Sequence, residues 1–202
     1  MKRLLKLLKK IPELINPHRI SLNKDKYDLV NLYFQDESRF GLKTCVGKCI
    51  TAMGVKPIVN YQHAFKNTYL YGSFSPINGD SFVWEINGVD TKIFEAYLKA
   101  FSEERPRELK IVIIDNAGFH STKNIEVPED IILINLPPYC PELNPSEKIW
   151  HYLKQKFKNK VFENIENVKT WLHEAVNNHL TPDRIKSITH HQLYMDAFYG
   201  SV

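Results

Sequence analysis

Three acidic residues stand where an open α/β sheet would place a functional site. Asp36 follows the β-forming run Tyr27–Gln35, and Asp115 ends the apolar run that begins at Leu109. Because ligands in such sheets gather at the carboxyl ends of strands, we expect both acids at one edge. Glu147 follows a proline-rich connection, which is stiff, and it falls in the first turn of a predicted helix. This connection can therefore hold Glu147 over the other two acids.

Three carboxylates at one place need a compensating charge. Two unit charges about 4 Å apart repel by roughly 4 kcal/mol at an effective dielectric constant of 20. Either one carboxyl group is protonated or a cation joins the cluster. Oxygen ligands favour Mg²⁺ or Mn²⁺, and two such ions roughly 3.5–4 Å apart would activate a nucleophile and stabilise a leaving oxygen. The acids thus predict metal-dependent phosphoryl transfer.

Each acid also has a plainer interpretation. Asp36 and Asp115 could be ordinary turn residues at strand ends. Glu37 competes with Asp36 as a ligand, and strand alternation alone does not choose between them. Glu147 has the spacing of a capping box with Asn144, in which the glutamate would serve only to begin the helix.

Composition restricts the class of protein. The chain has 202 residues, of which 43% are hydrophobic and 25% are charged, and this fits one globular domain. The net charge of +4 is compatible with nucleic-acid binding but does not require it. No apolar run is long enough for a membrane span. The cysteines, Cys45, Cys49 and Cys140, have no zinc-ribbon spacing, and we expect reduced thiols in the cytoplasm.

The order of elements predicts a mixed sheet with helices on its faces. The predicted strands are Tyr27–Gln35, β-like runs within Thr44–Tyr61 and Ala64–Ile77, Ser81–Ile86, Leu109–Asn116 and Ile131–Leu136. The predicted helices are Val89–Glu104, Glu147 to about Lys160, Val168–Leu180 and Thr181–Tyr199. Met1–Ile15 has apolar residues on one helical stripe and lysines on the other, which is typical of a basic amphipathic helix. We expect that helix to pack on a protein surface, and a membrane surface or a DNA backbone is the alternative.

Four segments of the chain carry a family resemblance. IVIIDNAGFH and INLPPYCPELNPSEKIWHYLK resemble the catalytic core of DDE transposases, in particular the mariner-like group and its bacterial relatives of the insertion-sequence-630 type. FQDESRFGL resembles the first acidic motif of that group, and TYLYGSFSP resembles the strand that follows it. The resemblance extends from about Asp28 to Phe162, and the proline-rich string is its most specific part.

The resemblance implies an α/β fold of the ribonuclease H-like, retroviral integrase-like kind. It assigns Asp36, Asp115 and Glu147 as catalytic, metal-binding acids that hold Mg²⁺ or Mn²⁺, with two ions expected. The implied activity is phosphodiester hydrolysis at transposon ends, followed by attack of the freed 3′-hydroxyl on target DNA. Residues 1–25 would be a basic N-terminal arm, and residues 26–202 would be the catalytic domain with its C-terminal helices.

The implied partners are DNA and further protein chains. Lys148, Lys154 and Lys158 follow Glu147 on its helix and are candidate contacts to backbone phosphates, although simple solvation explains them equally well. Family members carry helix-turn-helix domains before the core, so either a separately encoded helix-turn-helix subunit supplies them or this is a truncated copy. A homo-oligomer is expected for the active enzyme, with no membrane. The alternatives are a stand-alone ribonuclease H-like nuclease and a non-catalytic remnant that binds DNA or a transposase.

Overall fold

The computed structural model describes residues 9, 12, 13, 26–115, 125–137 and 141–200. The helix predicted over Met1–Ile15 and the arm 1–25 lie outside this part, apart from residues 9, 12 and 13. Residues 138–140 of the proline-rich string lie outside it as well. No helix in the described part is long and apolar enough to cross a membrane.

Five strands form one mixed sheet in the order β3-β2-β1-β4-β5, which confirms the predicted architecture. The strands are β1 (Leu29–Gly41), β2 (Asn67–Phe74), β3 (Ser81–Ile86), β4 (Glu108–Ile114) and β5 (Ile131–Asn135). Strands β1, β2 and β3 pair antiparallel, whereas β4 runs parallel to both β1 and β5. The apolar runs of β4 and β5 suit strands that are covered on both faces.

Five helices cover the two faces of the sheet. They are α1 (Thr91–Glu104), α2 (Ser146–Phe157), α3 (Ile165–His179), α4 (Pro182–Thr189) and α5 (Gln192–Tyr199), and a short 3₁₀ turn (Pro141–Leu143) precedes α2. Helix α1 packs on one face against Tyr33 and Tyr71. The other four helices pack on the opposite face, against Phe34 and Phe74 among others.

Two of the predicted elements differ from the structure. The segment predicted as one helix over Thr181–Tyr199 is two helices, α4 and α5, separated at His190, where the backbone is extended. Thr189, His190 and His191 are weak helix formers, which allows the chain to turn there. The β-like runs within Thr44–Tyr61 form no strand, because Ile50 and similar side chains are exposed and there is no apolar face to bury.

Strand β1 extends farther than the prediction Tyr27–Gln35. It continues through Asp36 to Gly41 because its second half pairs antiparallel with β2, with Gly41 opposite Asn67. Its parallel pairing with β4 ends earlier, at Phe34 opposite Ile113. Asp36 is therefore not at the end of a strand but at the point where the parallel part of the sheet ends.

Candidate functional site

The register of the sheet brings Asp36 and Asp115 side by side. Phe34 is opposite Ile113 in the parallel pair of β1 and β4, and the two acids each follow by two residues. Since side chains alternate along a strand, Asp36 lies on the same face as Phe34, which is the face covered by α2–α5. The two acids therefore lie next to each other where the parallel pairing of β1 and β4 ends.

Three acids act on the carboxyl group of Asp36. Burial raises its pKa to about 8, and the negative charges of Glu147, Glu37 and Asp115 act in the same direction. A hydrogen bond to the backbone of Glu37 acts in the opposite direction. The cluster therefore favours a proton or a cation at this point.

Glu37 lies on the other face of the sheet. Its carboxylate accepts a hydrogen bond from Gln35 Nε2 at 2.7 Å, and its charge contributes to the raised pKa of Tyr71 and Tyr97, which pack with α1. Asp36, by contrast, is opposite Gly72, beside which Trp150 of α2 packs. Strand alternation thus separates the two acids, and Asp36 is the one that faces α2.

Two buried side chains attach the start of α2 to β1. Asn144 Nδ2 donates to the carbonyl oxygen of Gln35 at 2.9 Å, and Ser146 Oγ donates to that of Phe34 at 2.7 Å. These carbonyl groups immediately precede Asp36 in the chain. Glu147, the next residue after Ser146, is therefore held close to Asp36 by the backbone of β1 itself.

The capping box considered for Asn144 and Glu147 is not formed. Helix α2 begins at Ser146, its N-cap is Pro145, and no side chain caps it. Asn144 Oδ1 accepts from the backbone N–H of Ser146 at 3.1 Å instead. The Glu147 carboxylate is exposed and has no hydrogen-bond partner among the described residues, so it is available for another role.

Helix α5 supports the connection that leads to Glu147. Tyr194 donates from its hydroxyl group to the carbonyl oxygen of Leu143 at 2.6 Å, and its ring packs edge-on against Phe34 with centroids 4.7 Å apart. The sequence reasoning did not identify Ser146 or Tyr194 as contributors to the site. Ser146 stands inside the proline-rich string and could have been noticed there, whereas no sequence signal pointed to Tyr194.

The three candidate lysines do not share one face of α2. With 3.6 residues per turn, Lys154 and Lys158 lie within about 20° of the direction of Glu147, whereas Lys148 lies about 100° away. Lys154 Nζ is 5.9 Å from the centre of the Phe40 ring, and Lys158 Nζ donates to Gln155 at 2.9 Å. Lys148 instead lies toward α5, where its charge helps to lower the pKa of His191.

The donor set suits a hard divalent cation, since it consists only of carboxylate oxygens. In the part of the chain that the structure describes, no three histidine, cysteine, aspartate or glutamate side chains lie close enough together to hold a metal ion. Sheet register and hydrogen bonds bring the backbone of Asp36 near that of Asp115 and Glu147, but the three side chains would have to come closer together to share one ion.

Comparison with protein families identifies the class. The family model described as DDE superfamily endonuclease matches residues 31–169, a range that contains all three acids. The chain belongs to this family.

Related sequences and structures agree with that family. A protein of Sinorhizobium fredii (strain NBRC 101917 / NGR234), named "Uncharacterized protein y4pE/y4sA", is 29% identical over 104 residues, which is 50% of this chain and 77% of the relative. The chain resembles a pre-cleavage Mos1 transpososome with a TM-score of 0.62 and 14% identity, over 99% of its own length and 63% of the Mos1 chain.

Two further Mos1 structures have the same fold. For the Mos1 strand transfer complex the TM-score is 0.61, and for the mariner Mos1 paired end complex with Mg it is 0.60, each at 17% identity and over 99% of this chain. The chain spans about six tenths of the Mos1 chains, with 62% covered in both cases. The ribonuclease H-like fold predicted from the sequence is thereby confirmed.

Proposed function

We propose that this chain is the catalytic domain of a DNA transposase, in which Asp36, Asp115 and Glu147 hold divalent metal ions. The observation that carries the proposal is the convergence of these acids. Asp115 adjoins Asp36 through the register of β1 and β4, and Asn144 and Ser146 hold Glu147 beside them. A cluster of this composition is suited to phosphoryl transfer.

The proposed reaction is a hydrolysis followed by an exchange of one phosphodiester bond for another, and neither step needs an outside energy source. In the first step a water oxygen bonds to phosphorus at a transposon end, the bond to the bridging 3′ oxygen breaks, and that oxygen takes a proton. In the second step the resulting 3′-hydroxyl attacks a phosphorus of target DNA and displaces the 3′ oxygen of the target strand. The similar Mos1 structures are a strand transfer complex and a paired end complex. We extend strand transfer and the pairing of ends to this chain as part of the proposal.

Mg²⁺ or Mn²⁺ is the proposed cofactor, with two ions expected. When bound, the ions would polarise the phosphate and activate the attacking oxygen. The part of the protein is to present neighbouring acids at one place, and the raised pKa of Asp36 reflects its burial and the charges of those neighbours. Lys154 and Lys158 follow the direction of Glu147 along α2 and would hold backbone phosphates, with Lys148 a contact farther round the helix.

The whole enzyme would contain more than this chain. Homo-oligomerisation and a separately encoded helix-turn-helix subunit remain part of the proposal, as does the division into an arm over residues 1–25 and a catalytic domain over residues 26–202. The family match lies entirely within the proposed catalytic domain.

The test is nicking of supercoiled plasmid DNA in Mn²⁺, which needs no knowledge of the transposon ends. We expect Asp36→Asn, Asp115→Asn and Glu147→Gln each to lower the nicking rate by about a hundredfold or more, because each removes a metal ligand. Glu37→Gln is the matched control, since Glu37 lies on the opposite face, and it should retain most of the activity.

The assay has outcomes that would contradict the proposal. If Glu37→Gln abolishes nicking while Asp36→Asn does not, the first ligand is wrong. If the wild-type chain nicks DNA but never joins a 3′ end to a second duplex, even with oligonucleotides of the cognate ends, the stand-alone nuclease is favoured. Absence of nicking in all conditions would favour the non-catalytic remnant.

A further inference from the structure

A basic groove lies beside the β1–β2 hairpin, away from the three acids. Four cationic side chains line it, Arg39, Lys43, Lys66 and Lys154, and no acidic side chain of the residues that the structure describes does. Its volume is about 230 Å³. None of these four cations is paired with an acid among the described residues, so their charge is free to attract an anion.

Backbone hydrogen bonds hold the walls of the groove in place. Two backbone hydrogen bonds lie beyond the ends of β1 and β2. The N–H of Leu42 donates to the carbonyl oxygen of Lys66 at 3.0 Å, and the N–H of Thr44 donates to the carbonyl oxygen of Gln62 at 3.1 Å. The hairpin thus continues as a ribbon past its last strand residues. The loop that follows Thr44 is held by Asn159, which lies after the end of α2. The N–H of Asn159 donates to the carbonyl oxygen of Cys45 at 2.9 Å.

One edge of this ribbon presents a row of aromatic rings. Tyr61, His63 and Phe65 alternate with more buried residues, and Tyr61 and Phe65 are 55% and 71% exposed. The Tyr61 and His63 rings stack with centroids 6.3 Å apart, and the His63 and Phe65 rings meet edge-on at 4.7 Å. Phe65 also lines the groove, so the row leads into it.

The groove lies a short distance from the candidate active site. Lys154 follows Glu147 by two helical turns, or about 10 Å at 1.5 Å per residue. Arg39 follows Asp36 by three strand residues, again about 10 Å along β1, and its side chain starts from the opposite face of the strand. A strand advances about 3.4 Å per nucleotide in a duplex and can extend farther when it is unpaired, so the groove would meet the strand within about three nucleotides of the bond at the acids.

We propose that the groove and the aromatic row bind an unpaired DNA strand. Its phosphates would lie against the four cations, and its bases would stack on Tyr61, His63 and Phe65. A positively charged groove flanked by aromatic rings is the arrangement that recognises single strands, because every base offers a face for stacking whereas a duplex hides those faces. The inference deepens the proposed function, since the bound strand would lead to the three acids.

The experiment measures DNA binding without cleavage. A fluorescent oligothymidylate of about 12 nucleotides, a length within the range of single-strand sites, is titrated with the full chain in EDTA and followed by anisotropy. A duplex of the same length is titrated in parallel. We expect the single strand to bind more tightly than the duplex.

The variants separate stacking from charge. Tyr61→Ala and Phe65→Ala should each weaken single-strand binding by about fivefold or more while leaving duplex binding unchanged. Lys66→Gln and Arg39→Gln should weaken both and make the affinity less dependent on salt. Tyr199→Ala and Lys92→Gln are the matched controls, an exposed ring on α5 and an exposed lysine on α1, and both should bind as the wild type does.

The outcomes distinguish this inference from the proposed function. Unchanged single-strand affinity in Tyr61→Ala and Phe65→Ala, or equal affinity for the duplex, overturns the inference even if nicking is normal. If the wild-type chain never nicks DNA, but Tyr61→Ala and Phe65→Ala lose affinity for the single strand, the proposed function is overturned. The inference that the groove binds a single strand then still holds. Melting temperatures of the ring variants should match that of the wild type, because these rings are exposed.

Discussion

The partly buried carboxyl group of Asp36 lies next to other acids, and this has a consequence for stability. Its pKa rises from the ordinary value of 3.8 to about 8, chiefly because of burial and then because of Glu147. At neutral pH, without a metal ion, the folded chain therefore favours the protonated form. A bound cation would reverse this preference, since it stabilises the carboxylate.

We predict that Asp36→Asn stabilises the metal-free protein at alkaline pH. Because the folded-state pKa lies above the unfolded one, the proton's contribution to stability is fully present below about pH 4 and is lost as the pH rises toward 8. Asp36→Asn has no carboxyl group to deprotonate at this position, so it does not lose this stability as the pH rises. Thermal unfolding in EDTA should give the variant a melting temperature about 3 °C or more above that of the wild type at pH 8, and a smaller difference at pH 5.

Asp183→Asn is the control for that prediction. Asp183 is exposed, forms an ion pair with Lys186 at 2.9 Å, and has a pKa lowered by that hydrogen bond. The sign is therefore opposite, and this variant should be no more stable than the wild type at pH 8. A melting temperature of Asp36→Asn below that of the wild type at pH 8 would contradict the account of the buried carboxyl group.

The choice between Asp36 and Glu37 depended on information that the local sequence does not contain. Both acids follow the same apolar run, and alternation says only that they face opposite ways. Which way is inward depends on what covers each face, and α2 and α1 belong to distant parts of the chain. The family resemblance supplied the choice of Asp36, and the structure shows that Asp36 and Glu37 lie on opposite faces, with Asp36 on the side of α2. That Asp36 is the ligand remains a prediction.

Helix α2 is the element on which the proposed site depends most. Its buried stripe, Ile149, Trp150, Leu153 and Phe157, agrees with the prediction from helical spacing. Its placement along the sheet comes instead from hydrogen bonds that Asn144 and Ser146 make to β1. Periodicity predicts that a helix forms and which side is buried, but it does not predict where the helix begins over a sheet.

We predict that Asn144→Ala and Ser146→Ala reduce both stability and nicking. Each leaves a carbonyl group of β1 without its partner, which costs about 1–3 kcal/mol of unfolding free energy. Each also loosens Glu147 relative to Asp36, which should lower the nicking rate by about tenfold or more. Urea unfolding and the plasmid assay measure the two effects.

Asn164→Ala separates general destabilisation from misplacement of Glu147. Asn164 caps α3 by accepting from the N–H of Asn167 at 2.9 Å, and its loss should cost about 1 kcal/mol. Because α3 contributes no acid to the site, nicking should stay near the wild-type rate. If Asn164→Ala impairs nicking as strongly as Asn144→Ala does, the proposed anchoring role is wrong.

The molecule as a whole has different polar chemistry at the two ends of its parallel strands. The acids lie at the carboxyl end. At the amino end, the fully buried Lys110 donates to Asp130 at 2.7 Å and to the carbonyl oxygen of Arg105 at 2.6 Å. Ser102 of α1 donates to the same aspartate at 2.6 Å. This ion pair is fully hydrogen-bonded and connects α1 to the sheet, so we assign it to stability.

We predict that Asp130→Ala is strongly destabilising. Removal of one partner leaves the Lys110 ammonium buried and uncompensated, which costs about 3–5 kcal/mol of unfolding free energy. Glu129→Ala is the neighbouring control, because the ion pair of Glu129 with Lys26 is exposed and should matter little. Similar urea midpoints for the two variants would show that the buried pair does not stabilise the fold.

The larger architecture could be predicted in part. The continuous apolar runs of β4 and β5 indicated buried parallel strands. Both strands are parallel, and β4 is buried throughout, whereas β5 lies at the edge of the sheet and is only partly buried. The segment between β1 and β2 could not be predicted, because its β-forming residues are held by a few hydrogen bonds to Thr44 and Asn159 rather than by a buried face. The aromatic row and the groove arise from that segment.

The most direct test of the central claim is calorimetric titration with Mn²⁺, because metal binding depends on the acids and not on recognition of a DNA sequence. The account predicts saturable binding to the wild type and to Glu37→Gln, and its loss in Asp115→Asn and Glu147→Gln. Equal binding by Asp115→Asn and the wild type would contradict the account, as would absence of binding by the wild type even with DNA present.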